Sequence, residues 1–259
     1  MKIATWNVNS LRVRLPQVLE WLAATQPDLL ALQELKMPTE DFPFDELKKA
    51  GYEAIVNGQK TYNGVAILYR NVVPENVVID FPELQDPQRR VVAATFNGVR
   101  LLNLYVPNGE SVESAKYQYK LNWLEHLKLF LQNEIKQYPK MIVVGDFNIA
   151  PHNEDVHDPV GLAGRILLSE PERAAFQNIL QIGFQDCFRL HIQPEKSFSW
   201  WDYRLNAFKR NLGLRIDLIL ASHELAKQCQ RCVIDKTPRG WERPTDHAPV
   251  VAEFENNKG

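Results

Sequence analysis

The sequence predicts an α/β protein in which two β-sheets pack together and carry helices on their outer sides. Three observations lead to this prediction. Apolar runs of strand length outnumber the helical patterns, several of these runs are apolar on both faces, and Asn97-Gly98 separates two of them. A strand that is apolar on both faces must be covered on both sides. Because Asn-Gly is the favoured two-residue hairpin turn, we expect mixed, mainly antiparallel sheets.

The predicted strands recur from one end of the chain to the other. Each is a short apolar run bounded by polar or turn-forming residues, as expected of a buried strand. These runs are Ile3–Trp6, Leu29–Leu32, Val65–Tyr69, Val91–Phe96, Leu101–Val106, Met141–Val144, Ile216–Leu220 and Pro249–Phe254.

Three helices are predicted between the strands. The first rests on the i, i+3, i+4, i+7 spacing of apolar residues at positions 15, 18, 19 and 22. The second runs from about Ser114 to Gln137, with leucines 124, 127 and 131 along one face. The third begins near Pro171, because Ser169 and the acids that follow suit a helix N-terminus.

Length and composition indicate one soluble domain that spans residues 1–259. Of the 259 residues, 45% are hydrophobic and 24% are charged, which is an ordinary globular balance. Stretches rich enough in Gly, Ser or Pro to form a linker are absent. Three cysteines in a chain of this size argue against a secreted disulfide framework. With neither a signal-peptide pattern nor an apolar span of eighteen residues, we expect a cytoplasmic protein with no membrane partner.

The charge of the chain is small overall but unevenly distributed. A formal net charge of −2 excludes a polycation that coats nucleic acid. The segment 202–215 nevertheless contains Arg204, Lys209, Arg210 and Arg215 against one acid, whereas the segment 40–46 contains four acids and no base. Segregation of this kind is what a surface that steers a charged ligand requires.

Polar side chains follow several predicted strands at the point where each strand ends. The first run leads to Asn7 and Asn9, the second to Glu34, and the sixth to Asp146 and Asn148. The fifth run adds Tyr105 with Asn108 just beyond it, and Asp246 and His247 precede the last run. Polar groups at strand ends of a layered α/β protein converge on one crevice, so we expect these groups to form the site.

Asp217 lies inside a predicted buried strand, where a lone carboxylate is costly unless it has a partner or a metal. Its candidate partners are His247 and a cation. Adjacent residues of an extended chain point to opposite sides, so Asp246 is poorly placed to orient the imidazole next to it. Asp217 is therefore the better orienting residue for His247.

The remaining oxygen-bearing side chains are candidate metal ligands or substrate contacts. They are the carboxylates of Glu34, Asp146 and Asp246 and the amides of Asn7, Asn9 and Asn148. An oxygen cluster without thiolates or several histidines suits Mg²⁺ or Mn²⁺ and disfavours zinc. Mg²⁺ typically takes one or two carboxylates together with substrate oxygens, so Glu34 is the expected principal ligand and a phosphate the expected substrate group.

Eight short motifs, in order from Met1 to Phe254, resemble the exonuclease III family of Mg²⁺-dependent DNA-repair nucleases, within the endonuclease/exonuclease/phosphatase superfamily that also contains DNase I. They are the segments Trp6–Arg12, Leu32–Lys36, Gly64–Ile67, Tyr105–Gly109, Gly145–Pro151, Ser199–Arg204, Gly213–Asp217 and Thr245–Val250. The resemblance implies a DNase I-like four-layer sandwich. It also implies an AP endonuclease of base excision repair that cleaves 5′ to abasic sites, with 3′-phosphodiesterase and 3′→5′ exonuclease activity.

The family's site residues can be carried over to matching positions. Glu34 would bind the metal with Asn7 and Asn9 beside it and Asp246 close by, and Asp146 would activate or position the attacking water. Asn148 and Tyr105 would hydrogen-bond the scissile phosphate, while His247, oriented by Asp217, would bind a phosphoryl oxygen. The remaining predicted substrate contacts are Asn108, Lys120, Trp200, Leu214 and Ile216, with Lys116 and Arg204 as further cations.

Several alternatives remain open at this point. One is a mainly 3′-exonucleolytic or 3′-end-cleaning enzyme with little AP endonuclease activity, because a bulky Leu167 or Leu168 would narrow the pocket. Another is a relative that acts on small phosphoesters, which the basic segment disfavours. A third is a non-catalytic DNA-binding relative, which would have lost part of the metal or His-Asp set. The expected partner is duplex DNA with abasic sites or blocked 3′ ends, and the expected state is a monomer.

Overall fold

The computed structural model describes residues 1–255, and its two six-stranded sheets pack face to face. The first sheet has the order β13-β14-β1-β2-β4-β3. Its strands are β1 (Lys2–Asn7), β2 (Leu29–Gln33), β3 (Glu53–Asn57), β4 (Val65–Tyr69), β13 (Cys229–Ile234) and β14 (Val250–Phe254). Only β1 and β2 run parallel within it, and the other neighbours are antiparallel.

The second sheet has the order β5-β6-β7-β8-β12-β9. Its strands are β5 (Pro74–Ile79), β6 (Val91–Phe96), β7 (Val99–Tyr105), β8 (Met141–Asp146), β9 (Phe184–Asp186) and β12 (Asp217–Ser222). Here β7 and β8 form the parallel pair. A small ladder of β10 (Trp200–Trp201) and β11 (Gly213–Leu214) lies outside both sheets.

Among residues 1–255, four helices cover the outer faces of the two sheets, and a short fifth helix packs against the central core through Leu225 and Ala226. They are α1 (Leu11–Thr25), α2 (Phe44–Lys49), α3 (Ala115–Gln137), α4 (Glu170–Gln181) and the short α5 (His223–Ala226). Apolar residues of α1 and α2 pack with the outer face of the first sheet, and those of α3 and α4 pack with the outer face of the second. The four-layer sandwich predicted from the sequence is therefore confirmed.

The central core lies between the sheets and follows the two-residue period of the strands. In β2, Leu29 and Ala31 face the central core, while Leu30 and Leu32 face the outer layer of α1 and α2. This alternation explains why the strand is apolar throughout. Within residues 1–255, every helix is too short or too polar to span a membrane.

The local predictions hold where the sequence signal is strong. Asn97 and Gly98 both have positive φ, at 48° and 78°, and join β6 to β7 with Phe96 opposite Val99. Ser114 caps α3. Ser169 and Glu172 form a reciprocal capping box at the start of α4, which stabilises a helix terminus by satisfying free backbone N–H groups.

Candidate active site

The predicted strand-end residues meet at one edge of the sandwich. Asn7 ends β1, Glu34 follows β2, Tyr105 ends β7 and Asp146 ends β8. Parallel pairing brings Tyr105 beside Asp146, and antiparallel pairing places Asp217, the first residue of β12, opposite Asp146. The topology therefore brings residues from both sheets to a common crevice.

Several site residues have a backbone conformation that is uncommon outside glycine. Asn9, Glu34 and Asn148 have φ values of 42°, 52° and 48°. Such conformations persist when the surroundings fix them, and they occur often at functional sites. Here Asn148 N–H donates to Asp146 Oδ1 at 2.9 Å, and Asn9 N–H donates to Asn7 Oδ1 at 3.0 Å. These bonds hold the turns that present the side chains.

A three-residue group in the crevice has the geometry of a metal site. Glu34, Asp146 and His247 each offer one ligand atom, and these atoms lie within 4.8 Å of one another. Asn7 Nδ2 joins the two carboxylates, donating to Glu34 Oε1 at 3.0 Å and to Asp146 Oδ2 at 2.9 Å. The two carboxylates offer oxygen ligands of the kind that a hard divalent cation such as Mg²⁺ prefers, so they can hold such an ion with the imidazole beside it.

Asn9 and Asp246 border this group. Asn9 Nδ2 donates to Asp246 Oδ1 at 3.0 Å, and Asn9 Oδ1 accepts from Lys36 Nζ at 2.6 Å. The amide oxygens of Asn7 and Asn9 are thus both engaged by N–H donors. In this arrangement the two asparagines support the carboxylates, and Lys36 Nζ lies 3.2 Å from Glu34 Oε2.

The imidazole of His247 is held as predicted. Its Nδ1 lies 2.9 Å from Asp217 Oδ2 and 3.1 Å from Oδ1, whereas its Nε2 is 4.0 Å from Asp246 Oδ1. Burial works to lower the pKa of His247, but the carboxylates of Asp217, Asp246 and Asp146 outweigh it and raise that pKa to about 10. The ring is therefore an imidazolium near neutral pH. Its Nε2 lies 3.8 Å from Asp146 Oδ2.

The pKa values of two carboxyl groups near His247 are shifted in opposite directions. Burial raises the pKa of Asp146 to about 7 against the pull of His247, and Asp217 and Glu34 add to the rise. Burial also acts on Asp246, but His247 and the Trp200 N–H outweigh it and lower the pKa of that carboxyl. The pKa of Asp146 thus lies near 7, whereas that of the neighbouring Asp246 is lowered. A carboxylate with a pKa near the working pH can accept a proton.

Tyr105 and Asn148 line the crevice on the side of the second sheet. Burial, followed by the charges of Glu34 and Asp146, raises the pKa of Tyr105 well above its ordinary value, so its hydroxyl keeps its proton. The Arg90 guanidinium lies over the Tyr105 ring, 4.7 Å from the centroid. Asn148 Oδ1 accepts from Asn108 Nδ2 at 3.2 Å. Asn148 Nδ2 donates to the Val106 carbonyl at 2.9 Å, which leaves one of its two hydrogens for another acceptor.

The predicted cationic contacts differ in their surroundings. Lys120 has no exposed surface, and its ammonium is taken up by protein acceptors, including Glu172 and the Asn148 carbonyl. Lys116 and Arg204 are exposed and pair with Glu110 and Asp202, respectively. The structure thus separates a buried cation under the site from two surface cations.

The predicted apolar pocket residues form one cluster. Leu214 and Ile216 are buried, and Trp200 packs against them while its Nε1 donates to Asp246 Oδ2 at 2.9 Å. The same cluster contains Leu167 and Leu168, which are 7% and 5% exposed. Both leucines thus pack in the same apolar cluster as the predicted pocket residues.

Three contributors to the site were not predicted from the sequence. Ser199 Oγ donates to Asp217 Oδ2 at 2.7 Å and accepts the N–H groups of Ile216 and Asp217. Lys36 contacts Glu34 and Asn9, and Glu172 pairs with Lys120. Ser199 and Lys36 lie within motifs that indicated the family, but serine and lysine in such positions carry no signal of a specific contact.

Comparisons with known proteins identify the family of the chain. The model described as "Endonuclease/Exonuclease/phosphatase family" matches residues 4–247. Exodeoxyribonuclease III of Haemophilus influenzae is 35% identical, covering 98% of this chain and 100% of that protein.

Two solved structures share nearly the whole fold. The 3′ phosphatase NExo from Neisseria, solved with a product DNA hairpin, is 47% identical with a TM-score of 0.97, over 99% of this chain and 100% of the other. An AP endonuclease from Archaeoglobus fulgidus is 40% identical with a TM-score of 0.95, again over 99% of this chain and 100% of the other.

Proposed function

The chain belongs to the endonuclease/exonuclease/phosphatase family as a hydrolytic nuclease of the exonuclease III type, and we propose that it repairs DNA by cleaving the phosphodiester 5′ to abasic sites in duplex DNA. It would also remove 3′ blocking groups and degrade 3′ ends. The observation that carries the proposal is the convergence of Glu34, Asp146 and the Asp217-held His247 on one crevice.

The proposed cofactor is Mg²⁺, with Mn²⁺ as a substitute. Glu34 and Asp146 would hold the ion, and Asn7, Asn9 and Asp246 would orient these carboxylates through the contacts described above. When bound, such an ion neutralises phosphate charge and lowers the pKa of bound water.

The side chains have complementary proposed roles in hydrolysis. Asp146 accepts a proton from the attacking water, whose oxygen bonds to phosphorus as the bond from phosphorus to the departing 3′ oxygen breaks. The departing oxygen takes a proton from solvent. The His247 imidazolium donates a hydrogen bond to a phosphoryl oxygen and balances its developing charge, and Tyr105 and Asn148 donate to the same phosphate. Asn108, Lys116 and Arg204 would contact the DNA backbone, while Trp200, Leu214 and Ile216 would receive the sugar. Because an abasic sugar presents little to hydrogen-bond, apolar shape is the proposed selector.

A second candidate is a mainly 3′-end-processing enzyme. It is favoured by the 47% identity to the Neisseria 3′ phosphatase and by Leu167 and Leu168, which pack in the same apolar cluster as Leu214 and Ile216. Both candidates share the same catalytic group and differ in whether an internal abasic sugar enters the pocket.

The test compares two labelled duplexes, one with an internal abasic site and one with a 3′ phosphate. We expect cleavage of both in Mg²⁺, none in excess EDTA, and recovery with Mg²⁺ or Mn²⁺. D146N should abolish turnover, whereas the matched change D45N at an exposed acid of α2 should not. Turnover of the 3′-phosphate duplex alone would favour the second candidate, and full activity in EDTA would reject the metal role.

Cellular state forms part of the same proposal. We propose that the protein is cytoplasmic, since Cys187, Cys229 and Cys232 are all free thiols, as suits a reducing compartment. We also propose that it is a monomer. Light scattering of the purified protein at micromolar concentration should give the mass of one chain, 29.9 kDa.

A further inference from the structure

A buried ion pair lies directly beneath the crevice and joins two helices. Lys120 in α3 and Glu172 in α4 both have fully buried side chains, and Lys120 Nζ lies 2.5 Å from Glu172 Oε1. A buried ion pair is seldom a net source of stability, because an apolar pair of the same shape commonly stabilises a fold as well or better. The contacts of each partner therefore need a further explanation.

The ammonium of Lys120 holds two backbone carbonyls at the phosphate side of the site. It donates to the Asn148 carbonyl at 2.6 Å and to the Asn108 carbonyl at 3.1 Å. The amide side chains of the same two asparagines are joined by a hydrogen bond of 3.2 Å. Lys120 thus fixes the spacing of the two segments that present Asn108 and Asn148.

The carboxylate of Glu172 holds the pocket wall, that is Leu167 and Leu168 in the apolar cluster that would receive the sugar. Its Oε1 accepts the Leu167 N–H at 3.1 Å, and its Oε2 accepts the Ser169 N–H at 3.1 Å and the Ser169 hydroxyl at 2.6 Å. Leu167 has a φ of 73°, an unfavourable conformation for leucine that needs such fixation. One carboxylate oxygen, Oε1, therefore serves both Lys120 and the pocket wall.

We propose that Glu172 is a positioning residue that sets the place of Asn148 relative to the pocket wall through Lys120 on one side and Leu167 on the other. The inference rests on the proposed function, in which Asn148 contacts the scissile phosphate. Its consequence is that the phosphate contact and the pocket move as one unit, although Glu172 itself has no exposed surface and touches no substrate.

The first test is E172Q, assayed on each of the two duplexes that the wild-type protein cleaves. Glutamine keeps the volume of glutamate but removes the charge opposite Lys120. The ion pair that links the two carbonyls to the pocket wall is then lost. Because a small misplacement of a contacting group can cost about 100-fold in rate, we expect kcat per folded molecule to fall by about 10- to 100-fold with KM nearly unchanged. The matched control is E170Q, an exposed acid two residues earlier in α4, which should keep wild-type kcat.

A second variant keeps the test decisive if E172Q does not fold. K120M/E172L removes both buried charges together, which a fold tolerates far better than removal of one, but it leaves the carbonyls of Asn108 and Asn148 without their donor. We expect this variant to be folded by circular dichroism and to show the same fall in kcat. Wild-type kcat in folded K120M/E172L, or a loss in E172Q that only follows its folded fraction, would overturn the inference.

The proposed function and this inference fail in different ways. Inactivity of the wild-type protein on both duplexes would reject the proposed function and the inference with it. Wild-type cleavage combined with unaltered kcat in folded E172Q would reject the inference alone.

Discussion

The imidazole of His247 keeps its orientation through a chain of contacts that ends in the backbone of β12. Asp217 accepts from His247 Nδ1, and Ser199 Oγ donates to Asp217 while it accepts the N–H of Asp217 itself. Both oxygens of the buried carboxylate are thereby satisfied, as a charge at this depth requires. This arrangement makes Asp217 an orienting group with little freedom of its own.

Replacement of this carboxylate should therefore affect the rate more than binding. We expect D217N to lower kcat roughly 100-fold or more with a small change in KM, because the ring loses its orienting carboxylate and the largest of the three charges that raise the pKa of His247. S199A should cause a smaller loss, since Asp217 keeps its contact with the ring. Steady-state kinetics on the 3′-phosphate duplex would measure both variants, and equal losses in the two would contradict this order.

The raised pKa of His247 also predicts a pH dependence of stability. Its pKa is about 10 in the folded protein against an ordinary value of 6.5. The charged ring therefore stabilises the fold fully below about pH 6.5, and this stabilisation is lost as the pH rises through about 10, with a slope of at most about 1.4 kcal/mol per pH unit. Urea denaturation in EDTA at pH 7, 8.5 and 10 would measure it.

The control for that experiment must remove a neighbouring titration. D146N and D146N/H247N are compared, because Asp146 titrates near pH 7 and would obscure the effect. The free energy of unfolding should fall more steeply with pH in D146N than in D146N/H247N. Parallel profiles of the two variants would show that His247 is not charged in the folded protein.

Among the secondary-structure elements, β8 positions Asp146, and its local geometry depends on a glycine. Gly145 precedes Asp146 and has a φ of 145°. A Cβ atom at this position would lie 1.9 Å from the carbonyl oxygen of Leu104 on the adjacent strand β7. Only glycine allows the two parallel strands to approach at this point.

We expect G145A to destabilise the protein by about 2–3 kcal/mol, as other overpacked positions do, and to lower kcat because Asp146 shifts with the strand. Urea denaturation and the duplex assay would measure the two effects. The control is G240A, where an added Cβ meets nothing within 4 Å, and which should leave both quantities near their wild-type values. Wild-type stability of G145A would show that β7 and β8 adjust without cost.

The sequence predicted buried strands better than edge strands. The eight predicted runs all correspond to strands of the two sheets, because their residues face apolar layers on both sides. The edge strand β5 is mostly exposed although it contains Val77, Val78 and Ile79, and its pairing with β6 is irregular between Glu75 and Val78, so its pattern does not alternate as a buried strand does. In β13 an irregularity between Cys229 and Arg231 interrupts the register, which removes the alternation that a sequence pattern detects.

The site was predictable in its charged members but not in its support. Glu34, Asp146 and His247 stand at strand ends or beside an apolar run, so topology alone indicates that they converge. Ser199 and Glu172 act through contacts across 18 and 52 residues of sequence, with Asp217 and Lys120 respectively. A serine or glutamate of this kind has no local pattern, since its partner is defined only by the packing of distant segments.

The molecule as a whole must bind a polyanion with a net charge of only −2. The sequence predicts that charge is distributed unevenly over the surface. In the segment 202–215, the cations Lys209 and Arg210 are exposed. The acidic segment 40–46 leads into α2, which carries exposed Lys48 and Lys49. One pair of exposed cations therefore lies in a basic segment, and the other lies next to an acidic segment.

These pairs allow a matched test of DNA steering. Each phosphate contact that is lost should reduce the slope of log affinity against log salt by about 1. We expect K209Q/R210Q to weaken binding of catalytically inactive D146N protein to duplex DNA and to reduce that slope by about 1–2. K48Q/K49Q in the same background changes net charge equally, so an identical loss in both variants would show that overall charge, and not the segment 202–215, governs the association.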